Sequence, residues 1–211
     1  LGTVLNHFKI ENPLGSRKKL ASDTTSYEVP AIETMEKIYS YIFSLDNSKN
    51  NLTYKLIVAL LRETGLRRNE LLNLKFSDID YDPNIIYVKI TKNKKNRISS
   101  FSNNLTKPLL KEAYKKHGHI SDYILWNYNL NIKADKETVN WTWEKIRKAT
   151  GIKNISSHRI RKFFATDMYK KLDGDILTVQ QFLGHQSPEQ TKIYIGLDVN
   201  FLLTQYNKVI K

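Results

Sequence analysis

Residues 157–171 read SHRIRKFFATDMYKK, and the spacing of apolar and charged positions in this segment predicts an amphipathic helix. Its apolar stripe recurs every three or four residues and consists of Ile160, Phe163, Phe164 and Met168. His158 and Arg161 lie on an adjacent face, three positions apart, so their side chains are neighbours and can hold one anion together. We expect Ser156 or Ser157 to cap the helix.

The next segment predicts two short helices joined by a tight turn. Leu183-Gly184-His185 ends the first helix, because glycine suits the left-handed backbone that follows a helix C-terminus. Ser187-Pro188 begins the second, which carries Tyr194 near its end. Upstream, residues 64–71 read TGLRRNEL and add Arg67. Two arginines, two histidines and a tyrosine suit one task, which is to hold a phosphodiester while a phenol oxygen attacks it.

Composition narrows the classes of partner. The 211 residues carry a formal net charge of +13, with a pI of about 9.7. This surplus favours a polyanion, either nucleic acid or an anionic membrane surface. No apolar run is long enough to span a bilayer, and no signal-peptide pattern is visible. The sequence has no cysteine, which excludes disulfides and cysteine metal sites and fits a reducing compartment.

The remaining patterns predict a mainly α-helical α+β domain with a small three-stranded antiparallel sheet. We expect helices at 30–42, 51–64, 69–74, 136–149, 157–171, 176–183, 188–195 and 200–210. The expected strands cover 85–90, 97–101 and 123–125. Basic residues crowd the hairpin between the first two strands, with no acid among them. They protect a sheet edge or contact a nucleic-acid groove, and the rest of the chain favours the groove.

Four sequence boxes, taken in order, resemble the tyrosine recombinases, or phage integrase family. They are residues 64–74 (TGLRRNELLNL), residues 91–97 (TKNKKNR), His158-x-x-Arg161, and Leu183-Gly184-His185 with Tyr194 nine residues later. The resemblance spans roughly 30–211. Lys162 departs from the family, which usually has histidine there. Threonine and asparagine flank Lys92 where many members have glycine, so Lys94 or Lys95 competes with it for the same role.

The resemblance implies a role for each matching residue. Its catalytic set is Arg67, Lys92, His158, Arg161, His185 and the nucleophile Tyr194. The two arginines would neutralise the phosphate, His185 would donate a hydrogen bond to it, His158 would move the tyrosine proton, and Lys92 would protonate the leaving 5′ oxygen. Glu70 would hold Arg67 or His158 in place. The residues expected to contact DNA are Lys89, Lys94, Lys95, Arg97 and Arg159.

The resemblance also implies a site-specific recombinase that works through a 3′-phosphotyrosine, with no cofactor and no metal. Its partners would be double-stranded DNA and three further copies of itself on synapsed duplexes, reached through residues 200–211 in cis or in trans. Residues 1–28 would end a preceding DNA-binding domain and its linker, and 29–211 would form the catalytic domain. The expected location is the prokaryotic cytoplasm, at the nucleoid, with no membrane partner.

Three other functions stay open at this point. A type IB topoisomerase-like enzyme would use the same cleavage step without exchanging partners. A catalytically inactive relative would only bind DNA. A metal-dependent nuclease would use the two histidines as ligands. The sequence does not indicate the target site, or whether it lies in a phage, a transposon or a chromosome.

Overall fold

The computed structural model describes residues 29–46, 48–89, 96–195 and 199–209. Its helices are α1 (Ile32–Ser44), α2 (Lys49–Thr64), α3 (Arg68–Leu72), α4 (Thr106–His117), α5 (Lys136–Thr150), α6 (Ser157–Lys171), α7 (Ile176–Leu183), α8 (Pro188–Lys192) and α9 (Val199–Val209). Its strands are β1 (Ile79–Asp80), β2 (Ile85–Val88), β3 (Arg97–Ser100), β4 (Trp126–Asn127) and β5 (Ile132–Lys133). The predicted class, mainly helical with a small antiparallel sheet, is confirmed. The predicted segment 1–28 lies outside the described residues.

Helix α2 forms the centre of the main core. Residues 56–61 of this helix, LIVALL, are each at most 1% exposed, so apolar neighbours surround it on all sides. It packs against α1, α4, α5 and α6. The buried positions of α1 are Met35, Ile38 and Ile42, as its periodicity predicts.

The three-stranded sheet is present, but its third strand is not the predicted one. β1 pairs with β2 and β2 pairs with β3, both antiparallel. The predicted strand at 123–125 is wrong, because this segment makes an isolated bridge, between Tyr123 and Lys75, and belongs to no described strand. Ile124 and Leu125 are buried in the main core, so the apolar run that suggested a strand reflects their burial. β1 has two residues, too few to show an alternating pattern.

Helix α4 is not among the predicted elements. Its buried positions include the apolar Leu110 and Ala113 together with the polar Thr106 and His117, so no apolar stripe marks its inner face. The His117 ring supplies much of the contact instead. It stacks 5.5 Å from the Trp126 ring, and its nitrogens contact the Tyr128 hydroxyl (2.8 Å) and the Tyr123 carbonyl (2.9 Å).

The helices of the C-terminal half begin and end close to the predicted residues. Ser156 caps α6 by accepting a hydrogen bond from the backbone N–H of Arg159 at 3.4 Å. Gly184 follows α7 with a φ of 62°, the left-handed conformation expected there. Helices α6 and α7 share a second, smaller core of Phe164, Ala165, Val179 and Leu183. None of the described helices combines the length and the apolar character that crossing a bilayer requires.

Gly65 ends α2 with a φ of 57°, and a Cβ at this position would overlap the Phe164 ring. Gly151 offers a matched control, because its φ is 73° but a Cβ there would meet nothing within 4 Å. We expect Gly151→Ala to lower the free energy of unfolding by about 1 kcal/mol, through backbone strain alone. Gly65→Ala adds the overlap and should lower it by roughly 2–4 kcal/mol. Urea unfolding of both variants measures the difference, and equal losses would contradict this packing.

Candidate active site

The structure brings five of the six predicted catalytic side chains to one place. Arg67 follows α2, His158 and Arg161 lie on α6, His185 follows α7, and Tyr194 follows α8. Four of them, Arg67, His158, Arg161 and Tyr194, line one surface pocket, and His185 contacts that pocket through the Tyr194 ring and the Arg161 guanidinium. The sixth, Lys92, lies outside the described residues, as do Lys94 and Lys95. Their roles stay predictions.

Arg161 is the most deeply held of these groups, with 2% of the residue exposed. One terminal nitrogen donates to the carbonyl of Gly65, and the other donates to the carbonyl of Leu183 at 2.6 Å. Its Nε is buried without a hydrogen-bond partner in the described part of the chain. Burial lowers the pKa of Arg161 to about 9, and the charges of Arg67 and Arg97 act in the same direction. The group therefore stays charged at neutral pH, and the carboxylate of Glu70 lies 4.0 Å from it.

The C-terminal end of α7 collects all three arginines of the site. The N–H groups of Gly184 and His185 cover the carbonyls of Gln181 and Gln180, at 3.1 and 3.2 Å. The next three carbonyls each accept from a different guanidinium: Phe182 from Arg97 (2.6 Å), Leu183 from Arg161 (2.6 Å) and Gly184 from Arg67 (3.1 Å). Carbonyls at a helix C-terminus lack partners within the helix and carry partial negative charge, so cations suit them.

Glu70 is the carboxylate at the centre of this cluster. Its Oε1 accepts from Arg67 at 2.8 Å, and its Oε2 accepts from Arg97 at 2.7 Å and from the backbone N–H of Arg67, also at 2.7 Å. Burial alone would raise the pKa of Glu70, but Arg97 and Arg67 hold it below its ordinary value. Glu70 was predicted to hold either Arg67 or His158. In the structure it bonds Arg67, and its second side-chain partner is Arg97 and not His158.

The prediction that Arg97 contacts DNA from the hairpin is wrong, because its side chain is buried. The residue is 8% exposed and points into the site, whereas its neighbour Ile98 is 52% exposed. β3 therefore buries polar residues and exposes an apolar one, the reverse of the usual alternation. Alternation along the strand would place Ile98 inward and Arg97 outward, so no local signal in the sequence identifies Arg97 as a site residue.

The other residues predicted to contact DNA lie at or near the surface where they are described. The Lys89 side chain is 68% exposed and its amine pairs with Asp78 at 2.5 Å. Arg159 is partly exposed, and one of its terminal nitrogens donates to the carbonyl of Asn154 at 2.6 Å. Both cations are therefore close enough to solvent to meet a phosphate backbone.

His185 is held as a neutral ring between two partners. Its Nε2 lies 3.1 Å from Arg161 and its Nδ1 lies 3.0 Å from the hydroxyl of the buried Thr191. A guanidinium can only donate, so Nε2 accepts and the ring proton resides on Nδ1. Burial lowers the pKa of His185 to about 3, and Arg161 adds to this. The sequence predicts that His185 donates a hydrogen bond to the phosphate. In this arrangement Nε2 is an acceptor, so it can donate only after Arg161 releases it and the ring changes tautomer.

Tyr194 stands at the mouth of the cluster, within its own chain. Its hydroxyl lies 3.4 Å from Nδ1 of His158, and its ring centroid lies 5.0 Å from that ring and 4.8 Å from the ring of His185. The guanidinium carbon of Arg161 and the amine of Lys162 are 5.8 and 5.9 Å from the same centroid. Partial burial lowers the pKa of His158, and the positive charges of Lys162 and Arg161 lower it further. The neutral form of the ring can therefore accept the tyrosine proton.

Fold and site together define a class of protein. It is a mainly helical domain in which a tyrosine hydroxyl stands beside two histidines and a cluster of guanidinium groups. The model of the phage integrase family matches residues 32–200 of the chain. The chain therefore belongs to the phage integrase family of tyrosine-type site-specific recombinases.

Individual relatives agree with this assignment. A probable integrase/recombinase of Acholeplasma phage L2 is 30% identical, over 99% of this chain and 71% of that protein. The crystal structure of XerA recombinase superposes with a TM-score of 0.73 at 28% identity, over 86% of this chain and 64% of that one. The XerH site-specific recombinase bound to its difH substrate superposes with a TM-score of 0.67 at 25% identity, over 78% of this chain and 49% of that one. The chain thus spans about half to two thirds of these two recombinase structures.

The buried neutral state of His185 makes a testable contribution to stability. Between pH 6.5 and about 3 the unfolded chain binds a proton at this ring and the folded chain does not, so stability falls as the pH falls through that window. His185→Gln removes the titration. From pH 7 to pH 5 the variant should lose roughly 2 kcal/mol less unfolding free energy than the parent chain. Urea unfolding at the two pH values measures this, and parallel losses would contradict a neutral His185.

Proposed function

We propose that this chain cuts and rejoins DNA strands through Tyr194. The phenol oxygen attacks the scissile phosphorus, the bond to the 5′ oxygen breaks, and a 3′-phosphotyrosine and a free 5′-hydroxyl result. A 5′-hydroxyl from another strand then attacks the same phosphorus and releases the tyrosine, so no external energy source is needed. The observation that carries this proposal is the Tyr194 hydroxyl, which lies beside His158, while the Tyr194 ring lies 5.8 Å from the buried guanidinium of Arg161.

Each described group has a distinct part in this reaction. Arg161 and Arg67 neutralise the non-bridging oxygens as negative charge grows on the five-coordinate phosphorus, because guanidinium groups bind phosphate in a bidentate manner. His158 accepts the proton of Tyr194, since a neutral imidazole is present at working pH. His185 first holds Arg161 in place and then donates to the phosphate. Protonation of the leaving oxygen by Lys92 remains part of the proposal that rests on the family resemblance.

Double-stranded DNA is the proposed partner. The net charge of +13 favours a polyanion, and the XerH relative was solved with its DNA substrate. Arg68 and Asn140 line the same pocket as Tyr194, and Lys89, which follows β2, lines a second pocket together with Arg67 and Arg68. These groups offer a basic, hydrogen-bonding surface around the position of the scissile phosphate.

We further propose that four copies act together on two duplexes, with the C-terminal helix as a mobile link between neighbours. Within one chain, α9 lies against its own domain: the Phe201 and Tyr169 rings are 5.5 Å apart, and Lys208 pairs with Asp173 at 2.6 Å. The ion pair is exposed and contributes little stability. An exposed ion pair of this kind is compatible with exchange of the helix to a neighbouring copy in the assembly.

The competing functions differ in what they predict. The named relatives are recombinases and integrases, which does not favour a topoisomerase-like enzyme or an inactive protein. A topoisomerase-like enzyme would relax supercoils without joining two duplexes. A metal-dependent nuclease would place a cation among three arginines, where charge repulsion opposes it. EDTA would abolish its cleavage, whereas cleavage through Tyr194 needs no metal.

The first test is a covalent adduct. The protein is incubated with a pool of nicked duplexes of random sequence, denatured, and examined for DNA that stays attached to it. We expect an adduct that survives EDTA, and we expect Tyr194→Phe to abolish it, because phenylalanine lacks the attacking oxygen. Tyr206→Phe is a matched control, since Tyr206 is exposed on α9. An adduct formed equally well by Tyr194→Phe would show that the nucleophile is a different residue.

The second test concerns the phosphate contact of Arg161. Arg161→Lys keeps the charge and most of the volume but loses the forked donor. We expect the rate of adduct formation to fall by roughly 10²–10³-fold, the usual loss for one transition-state donor, while DNA affinity changes only a few-fold. Single-turnover kinetics and a separate binding titration measure the two quantities. A near-normal rate would remove Arg161 from the reaction.

A further inference from the structure

Arg97 lies inside the site, yet the reaction described above does not use it. Its side chain is 5% exposed. It donates to Oε2 of Glu70 at 2.7 Å and to the carbonyl of Phe182 at 2.6 Å. Through these contacts it joins β3 to the carboxylate that holds Arg67 and to the end of the helix that precedes His185.

Glu70 is the reason why Arg97 matters to Arg161. Oε2 of Glu70 is 2.7 Å from Arg97 but 4.0 Å from Arg161, so both guanidinium groups are within reach of one oxygen and Arg97 holds it. If Arg97 were absent, a small movement would let Glu70 pair directly with Arg161. A charge-assisted pair of that kind would neutralise the group that the phosphate needs.

Stability alone does not account for a cation at this position. A buried ion pair is on average no better than a well-packed apolar pair of the same volume. Among the residues that the structure describes, the site holds three guanidinium groups against one carboxylate, so each added cation increases repulsion when no anion is bound. The position is better explained by what Arg97 does to its two partners.

We propose that Arg97 is a positioning residue, which occupies Glu70 and fixes the end of α7 so that Arg161 stays available to the scissile phosphate. It makes no contact with DNA. This inference rests on the proposed function and extends it to a residue that acts on the reaction through Glu70 and Phe182.

The experiment compares Arg97→Met with the double variant Arg97→Met, Glu70→Gln. Arg97→Met should slow single-turnover adduct formation by about tenfold or more, with a DNA Kd within about threefold of the parent value. Adding Glu70→Gln should recover at least about threefold of that rate, because no carboxylate remains to pair with Arg161. A residue with a merely structural role would lower the free energy of unfolding and leave the rate measured on folded protein unchanged.

Two further variants serve as controls. Arg147→Met removes an arginine that likewise bonds a glutamate, Glu144, and a backbone carbonyl, that of Ile155, but lies outside the site, so adduct formation should keep the parent rate. Arg97→Lys keeps the charge beside Glu70 but cannot reach both partners, so its rate should fall with an unchanged Kd. If circular dichroism shows that Arg97→Met does not fold, Arg97→Lys is the variant whose rate and Kd are compared with those of the parent.

Three outcomes would overturn the inference. The first is a parent-like rate for Arg97→Met or, if that variant does not fold, for Arg97→Lys, and the second is no recovery of rate in the double variant. The third is a loss of DNA affinity as large as the loss of rate, which would make Arg97 a DNA contact. Failure of the proposed function itself looks different, because then the parent protein forms no adduct that depends on Tyr194.

Discussion

The site depends on the way one short helix ends. Helix α7 has eight residues, and its last carbonyls would be buried without partners if no donors reached them. Two are covered by the turn at Gly184, and the next three by guanidinium groups from three different elements. The end of α7 therefore joins the loop after α2, the sheet and α6 at one point. Loss of this junction would separate the residues that the reaction needs together.

The same junction explains how three cations can lie side by side. Carbonyl dipoles stabilise the guanidinium groups without cancelling their charge, and in the described part of the chain Glu70 is the carboxylate that bonds two of them, Arg67 and Arg97, directly. A set of carboxylates would have neutralised the guanidinium groups and left no affinity for phosphate. Partial compensation by dipoles keeps the cluster folded and leaves net positive charge at its centre.

Much of this arrangement was open to prediction, since it depends on local signals. The apolar stripe of α6 and the glycine after α7 both correspond to the observed elements, because periodicity and left-handed caps are properties of neighbouring residues. Contacts between distant residues were harder to foresee. Arg97 lies in a run of lysines, and only its pairing with Glu70, 27 positions away in the sequence, shows that it turns inward. Helix α4 and strand β1 were missed for a related reason, since one buries polar side chains and the other has two residues.

Electrostatics links these observations to the proposed chemistry. Burial and the positive charges of Arg161, Arg67 and Arg97 keep His185 neutral. Arg161 and Arg67 are also the groups that would stabilise negative charge on phosphorus. When a phosphate enters, its charge offsets these positive charges. In the proposed reaction this would raise the proton affinity of His185 and leave the donors of Arg161 free to turn toward the anion. Substrate binding would itself convert His185 from an acceptor that holds Arg161 into a donor to the phosphate, so the free site is arranged to change its hydrogen bonding only when the anion arrives.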